Sequence, residues 1–317
     1  MRYRLLLLLS VVVACVSLSL TGVHLKLRYL SPAPPSHLPQ SSAAYLGVYE
    51  PGVPPSYAPI ATFARTIGKQ PNLVGYYSGW AEQFPSSFAQ KLHNHHQIPY
   101  VQIDPTYASV SKIAAGVYDA YLQTYADSVR DFGHAVVIGF GHEMNAPWYS
   151  WGYKHKDVPP ATFRAAWQHI VTLFRNEGAD NVTWLWTINR DTRSTGPIAE
   201  WWPGKAYVTW VGIDGYYTKP SDTFDSVFGH TINQVRKITE DPILLSETAV
   251  APGADRSARI LDLFLGLAKY KTLGLVWFDL PSDQGFINQD WQIEGNQPAE
   301  SAFRLGVAPL KLVNPTK

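Results

Sequence analysis

The chain has 317 residues, 26 Lys and Arg against 25 Asp and Glu, and a formal net charge of +1. That balance, with no basic block or acidic tail, speaks against a nucleic-acid or polyanion binder and for an uncharged partner. The single cysteine, Cys15, excludes disulfides and thiolate metal sites from the folded part, so stability must come from a hydrophobic core, which a chain of this length can build.

The first thirty residues read as a targeting segment. Arg2 and Arg4 precede the apolar runs Leu5 to Leu9 and Val11 to Val13, the charged and apolar regions of an export signal. The apolar stretch continues through Val16 to Leu20, close to the shortest membrane span, and Val12-Val13-Ala14-Cys15 resembles a lipoprotein box. A secreted protein, a signal anchor and a lipoprotein on the outer face of the membrane are all compatible with this segment. A Pro/Ser-rich spacer, residues 31–42, follows, and the folded domain is expected over 43–312.

From Tyr45 onward, short apolar runs alternate with longer helical patterns. Strands are predicted at Tyr45 to Tyr49, Leu73 to Tyr77, Tyr100 to Ile103, Ala135 to Phe140, Thr183 to Ile188, Trp210 to Asp214, Ile243 to Ser246 and Leu275 to Phe278. Helices are predicted at Ile113 to Asp131, Ala161 to Glu177, Phe224 to Ile238 and Ala254 to Tyr270. Eight alternating units without a second composition regime predict a single (β/α)8 TIM barrel. In such a barrel, chemistry gathers where the strands end at their C-terminal side. The residues there include Tyr49, Glu50, Trp80, Asp104, His142 to Asn145, Asn189 to Asp191, Asp214 to Tyr217, Glu247 and Asp279. That set is acidic and aromatic, as a carbohydrate cleft is; with eleven Trp and eighteen Tyr, the chain has rings to stack on sugars as well as to fill a core.

Glycoside hydrolysis needs two carboxyl groups flanking the scissile bond. Glu143, in Gly141-His142-Glu143-Met144-Asn145, and Glu247, in Leu245-Ser246-Glu247-Thr248, each close an apolar strand that carries no nearby basic residue. A carboxylate in that position is costly unless partnered, so two of them at matching strand ends point to chemistry rather than packing. His93, His95 and His96 cluster on a polar helical stretch with no carboxylate at ligand spacing, and read as a solvated surface. No Gly-rich phosphate loop or Ser-His-Asp order is present, and neither a metal nor a cofactor is expected.

These residues resemble glycoside hydrolase family 26, the β-mannanase family of barrel glycosidases whose two glutamates end strands four and seven. The likeness runs from Leu46-Gly47-Val48-Tyr49 through Ala114 to Tyr121, His142 to Asn145 with Trp148 and Trp151-Gly152, Tyr207 to Tyr216 and Trp277-Phe278, to Asp290-Trp291. It implies a retaining mechanism with Glu143 as general acid/base and Glu247 as nucleophile, Glu143 titrating above Glu247. It further implies that His142 orients the sugar or the acid, that Trp148 stacks on the leaving-group side, that the Tyr216 hydroxyl holds Glu247, and that Trp277 floors the sugar being cleaved. Trp80 and Asp104 are subsite candidates by position only. Ala146-Pro147 stands where the family usually has Gly after the acid-motif Asn, a stiffening that bears on subsite shape. The expected partner is a β-1,4-linked polysaccharide, β-mannan first and β-1,3-1,4-glucan second, cut by a monomer. Rival readings are an exopolysaccharide-processing hydrolase held near the membrane and a non-catalytic glycan-binding protein.

Overall fold

The computed structural model describes residues 38–282 and 289–314. The leader and most of the spacer lie outside them. Eight parallel strands close a barrel in sequence order: β1 (Tyr45–Tyr49), β2 (Leu73–Gly79), β3 (Ile98–Asp104), β4 (Val136–Phe140), β5 (Val182–Asn189), β6 (Trp210–Asp214), β7 (Ile243–Thr248) and β8 (Gly274–Phe278). The chain is a (β/α)8 TIM barrel. Parallel strands covered on both sides are expected to read as continuous apolar runs, and these do.

The helices between them are α1 (Ala58–Ile67), α2 (Ser86–Asn94), α3 (Val110–Ala114), α4 (Asp119–Phe132), α5 (Pro160–Asn176), α6 (His230–Val235), α7 (Arg256–Tyr270) and α8 (Gln297–Val307). Two 3-10 turns, Ile198–Trp201 and Lys205–Tyr207, take the place of a helix between β5 and β6. The single helix expected over Ile113 to Asp131 is broken into α3 and α4. Gly116 between them adopts φ +76°, a left-handed conformation that ends a helix at little cost only in glycine. The helix expected from Phe224 opens with a π-helical turn, Asp225–Gly229, before α6. The fold also takes hold earlier than residue 43: Leu38 is buried with the barrel-bottom residues, and the Tyr45 hydroxyl donates to the Pro39 carbonyl at 2.7 Å.

Side chains alternate between the barrel interior and the helix layer. Tyr45, Leu73, Ile98, Tyr100, Val137, Leu185, Trp210, Leu244 and Val276 fill the interior, while their neighbours pack against the helices. Among the interior glycines, Gly139 and Gly212 leave room for a polar layer. A Cβ on Gly139 would meet Gln102 Oε1 at 2.0 Å, and one on Gly212 would meet Ser246 Oγ at 2.5 Å. The space they leave holds a polar layer in which Gln102 Nε2 donates to the Tyr100 and Thr187 hydroxyls at 2.6 and 2.7 Å. Above that layer the pocket opens at the C-terminal ends of the strands.

Candidate active site

Glu143 reaches the pocket on the loop after β4. Its backbone holds φ +54°, an unusual conformation for a residue with a Cβ, two residues after Gly141 at φ +53°. Glu143 N donates to the Thr187 carbonyl at 3.0 Å, and the Asn145 side chain ties the same loop to β5 by bonding both the N–H and the C=O of Asn189. Positive φ therefore falls on Gly141 and Glu143 rather than near Ala146-Pro147, so the stiffer pair fits this loop without strain. Asn189 Nδ2 donates to Glu143 Oε1 and Trp148 Nε1 to Oε2, both at 2.6 Å. Burial and the charge of Glu247 push Glu143 up to about 7, against the opposing pull of His142, Asn189 and Trp148.

Glu247 arrives by a different device. Between Leu244 and Glu247 β7 advances three residues while β6 advances two, and between Leu245 and Thr248 it again gains one on β8. This β-bulge breaks the alternation, so that Ser246 and Glu247 both face inward. Ser246 Oγ donates to Asp214 Oδ1 at 2.5 Å. The two Glu247 oxygens accept from the Tyr77 hydroxyl and, at 2.6 Å, from the Tyr216 hydroxyl. One carboxylate oxygen from each of Glu143, Asp214 and Glu247 lies within 4.8 Å of the others, all three residues buried. Burial and the two glutamate charges raise Asp214 well above the usual carboxylate range, which favours its neutral acid.

His142, the residue before Glu143, is 3% exposed. Its Nδ1 is 2.8 Å from Asp104 Oδ1 and its Nε2 3.1 Å from the Tyr149 hydroxyl. Burial opposes the imidazolium, but the charge and hydrogen bond of Asp104, with Glu247 and Glu143 beyond it, prevail and lift His142 to about 9. At neutral pH it is therefore a cation that donates from both nitrogens.

Trp148, 52% exposed, and Tyr216 both reach the glutamates directly. Trp277 does not. It is fully buried in the helix layer, edge-on to Phe303 of α8 at 5.1 Å, with its indole N–H bonded to Asp279. Strand alternation turns its neighbour inward instead, and Phe278 stacks on Tyr49 at 4.4 Å and meets Tyr216 edge-on. Phe278, rather than Trp277, is the β8 ring that contacts Tyr216, the residue bonded to Glu247. Trp80 packs at the rim against Tyr118, Tyr121 and Phe140, away from the carboxylates. His95 stacks on Tyr57 and His93 on His134 rather than converging. Sequence reasoning missed Tyr77 and assigned no role to Asn189 or Asp214. Tyr77 was detectable by parity with Leu73 and Gly75 on the inner face.

The profile of glycosyl hydrolase family 26 matches residues 80–296, more than two thirds of the chain. The chain belongs to glycosyl hydrolase family 26. It is similar to Endoglucanase H of Acetivibrio thermocellus, 28% identical over 268 residues, 80% of this chain but 29% of that protein. The chain thus spans less than a third of that relative. It is also similar to a mannan endo-1,4-beta-mannosidase of Bacillus subtilis, 24% identical over 195 residues, 58% of this chain and 48% of the relative. Among solved structures, a mannanase from Bacillus subtilis superimposes with a TM-score of 0.63 at 17% identity, covering 87% of each chain, a likeness of fold.

Proposed function

We propose that this family 26 barrel is an endo-acting, retaining β-glycoside hydrolase of a β-1,4-linked polysaccharide, with Glu143 as acid/base and Glu247 as nucleophile. One observation carries the reading. Two buried glutamates face each other within 4.8 Å, one pushed up to about 7 and the other held by two tyrosine hydroxyls. Inverting enzymes need roughly 6.5 to 9.5 Å between carboxyl groups to admit a water, and retaining enzymes about 5 to 5.5 Å.

In the first step Glu143 gives its proton to the glycosidic oxygen as a Glu247 oxygen attacks the anomeric carbon. The leaving sugar departs as an alcohol and Glu247 becomes a glycosyl ester. Esterification removes the Glu247 charge, one of the two causes that keep Glu143 protonated, while His142⁺, Asn189 and Trp148 still favour its carboxylate. Glu143 then takes a proton from water, which hydrolyses the ester.

β-Mannan is the proposed polymer, supported by the mannosidase relatives and the mannanase structures. Mixed-linkage β-glucan is the second reading, favoured by the long match to an endoglucanase. The apolar leader is consistent with action outside the cell, where such polymers are found.

The test is to incubate the purified chain with mannans and glucans and follow the first-formed anomer by proton NMR. The β anomer is expected, from one of these polymers. Early α product, or no reducing ends from any polymer in the panel, would overturn the proposal; the second result would support a glycan-binding role.

A further inference from the structure

A second carboxylate cluster lies outside the catalytic pocket, at the seam where β1 and β8 close the barrel. Glu50 follows β1, Asp279 follows β8 and Glu294 lies on the connection to α8; one oxygen from each is within 4.8 Å of the others. Glu50 is 5% exposed and Asp279 fully buried. Among the described residues no Lys, Arg or His forms an ion pair with any of the three. Arg256, in the same region, spends its donors on the carbonyls of Val250, Trp291 and Gln292.

The second observation concerns how the oxygens are used. Asp279 Oδ1 accepts from Trp277 Nε1 and Ile293 N, both at 2.9 Å, which fixes the carboxylate. Its Oδ2 and both oxygens of Glu294 are shut off from solvent and meet no donor outside the cluster; their neighbours are one another's carboxyls, Asp279 pairing with Glu294 and with Glu50. Buried carboxyls converging with no ion-paired cation, Arg256 sensing the Asp279 charge without bonding it, are costly unless protons or a metal ion lie among them.

We propose that Glu50, Asp279 and Glu294 bind a hard divalent cation of the calcium type. Oxygens around such an ion at about 2.3–2.6 Å lie at most about 5 Å apart, the spread seen here, and waters complete its shell. The ion would clip positions 50 and 279, far apart in the chain, and a clip across so long a loop stabilises most. It would also brace the aromatic wall of the pocket. Tyr49 and Phe278, the residues preceding two of the ligands, form the stacked pair beside Glu247, and the Asp279 N–H donates to the Tyr49 carbonyl.

The test strips the purified full chain with EDTA, titrates Ca²⁺ alone by calorimetry, and records thermal unfolding with and without 1 mM Ca²⁺. One site per chain and a rise in Tm of about 5 °C are expected, taking a Kd near 10 μM. Glu294→Gln, which exchanges one carboxylate oxygen for an amide nitrogen in a half-buried residue, should fold without metal and lose the shift. Wild type that shows neither heat nor shift with Ca²⁺, Mg²⁺ or Mn²⁺ would overturn the proposal and leave shared protons as the compensating charge. So would Glu294→Gln with undiminished Ca²⁺ affinity. Neither readout requires substrate, so failure here is independent of the hydrolase reading.

Discussion

Glu143 stands on a strained loop and Glu247 inside a bulged strand, and their partners differ as much as their backbones do. Glu143 takes one amide and one indole N–H and feels the His142 imidazolium, while Glu247 takes two tyrosine hydroxyls. Loop attachment leaves Glu143 close to an exposed tryptophan on the entry side; strand attachment holds Glu247 against the barrel wall. The contrast fits a group that must change protonation state twice per turnover beside one that must stay ionised until it attacks.

The most severe way to break this comparison is Glu247→Ala, which should cost on the order of 10⁵-fold in kcat whatever the leaving group. Glu143→Ala should cost about 10²- to 10⁴-fold on polysaccharide, and much less on an aryl glycoside whose phenolate leaves unaided. If both variants lose activity equally on both substrates, the two roles are not separate. Next in size, Trp277→Ala should lower unfolding free energy by about 3–5 kcal/mol, as a core truncation does. Phe278→Ala should act mainly on kcat/KM; denaturant melts beside steady-state kinetics distinguish the two.

Tyr77→Phe and Tyr216→Phe should each lower kcat/KM by roughly 10- to 100-fold, the worth of one hydrogen bond to a charged group. The smallest effects are on pH. Activity needs Glu143 protonated, so kcat/KM should fall as pH rises through about 7. His142→Asn removes a charge that favours the Glu143 carboxylate and should move that limb upward. Asn189→Ala and Trp148→Phe should move it in the same direction by less. Glu247→Gln removes a charge that disfavours the carboxylate, so Glu143 should titrate lower, which carbon-13 NMR of labelled glutamate can follow.

The barrel was legible because its strands are apolar runs bounded by helical patterns, and Glu143 and Glu247 because a carboxylate ending such a run has no packing role. Parity was the weak point. The family resemblance placed the sugar floor at Trp277, whereas alternation from Val276 turns Phe278 to the interior. Tyr77 carried no end-of-strand signal because it lies within β2, which runs two residues beyond the apolar run, to Gly79. The β7 bulge leaves no mark in Ile243-Leu244-Leu245-Ser246-Glu247; it exists only as pairing against β6 and β8. The Glu50, Asp279 and Glu294 cluster was equally hidden, since ligand spacing in sequence carries no signal when strand closure brings the residues together.

The bulge also sets how the barrel can be altered. Because β7 carries its extra residue relative to both flanking strands, sliding against one neighbour cannot absorb a deletion there; both ladders would have to reset together. Connections at the rim, by contrast, can change length without touching any pairing. Loop exchange is accordingly the route by which a new polymer specificity could be grafted onto this scaffold, with the seventh stave kept residue for residue.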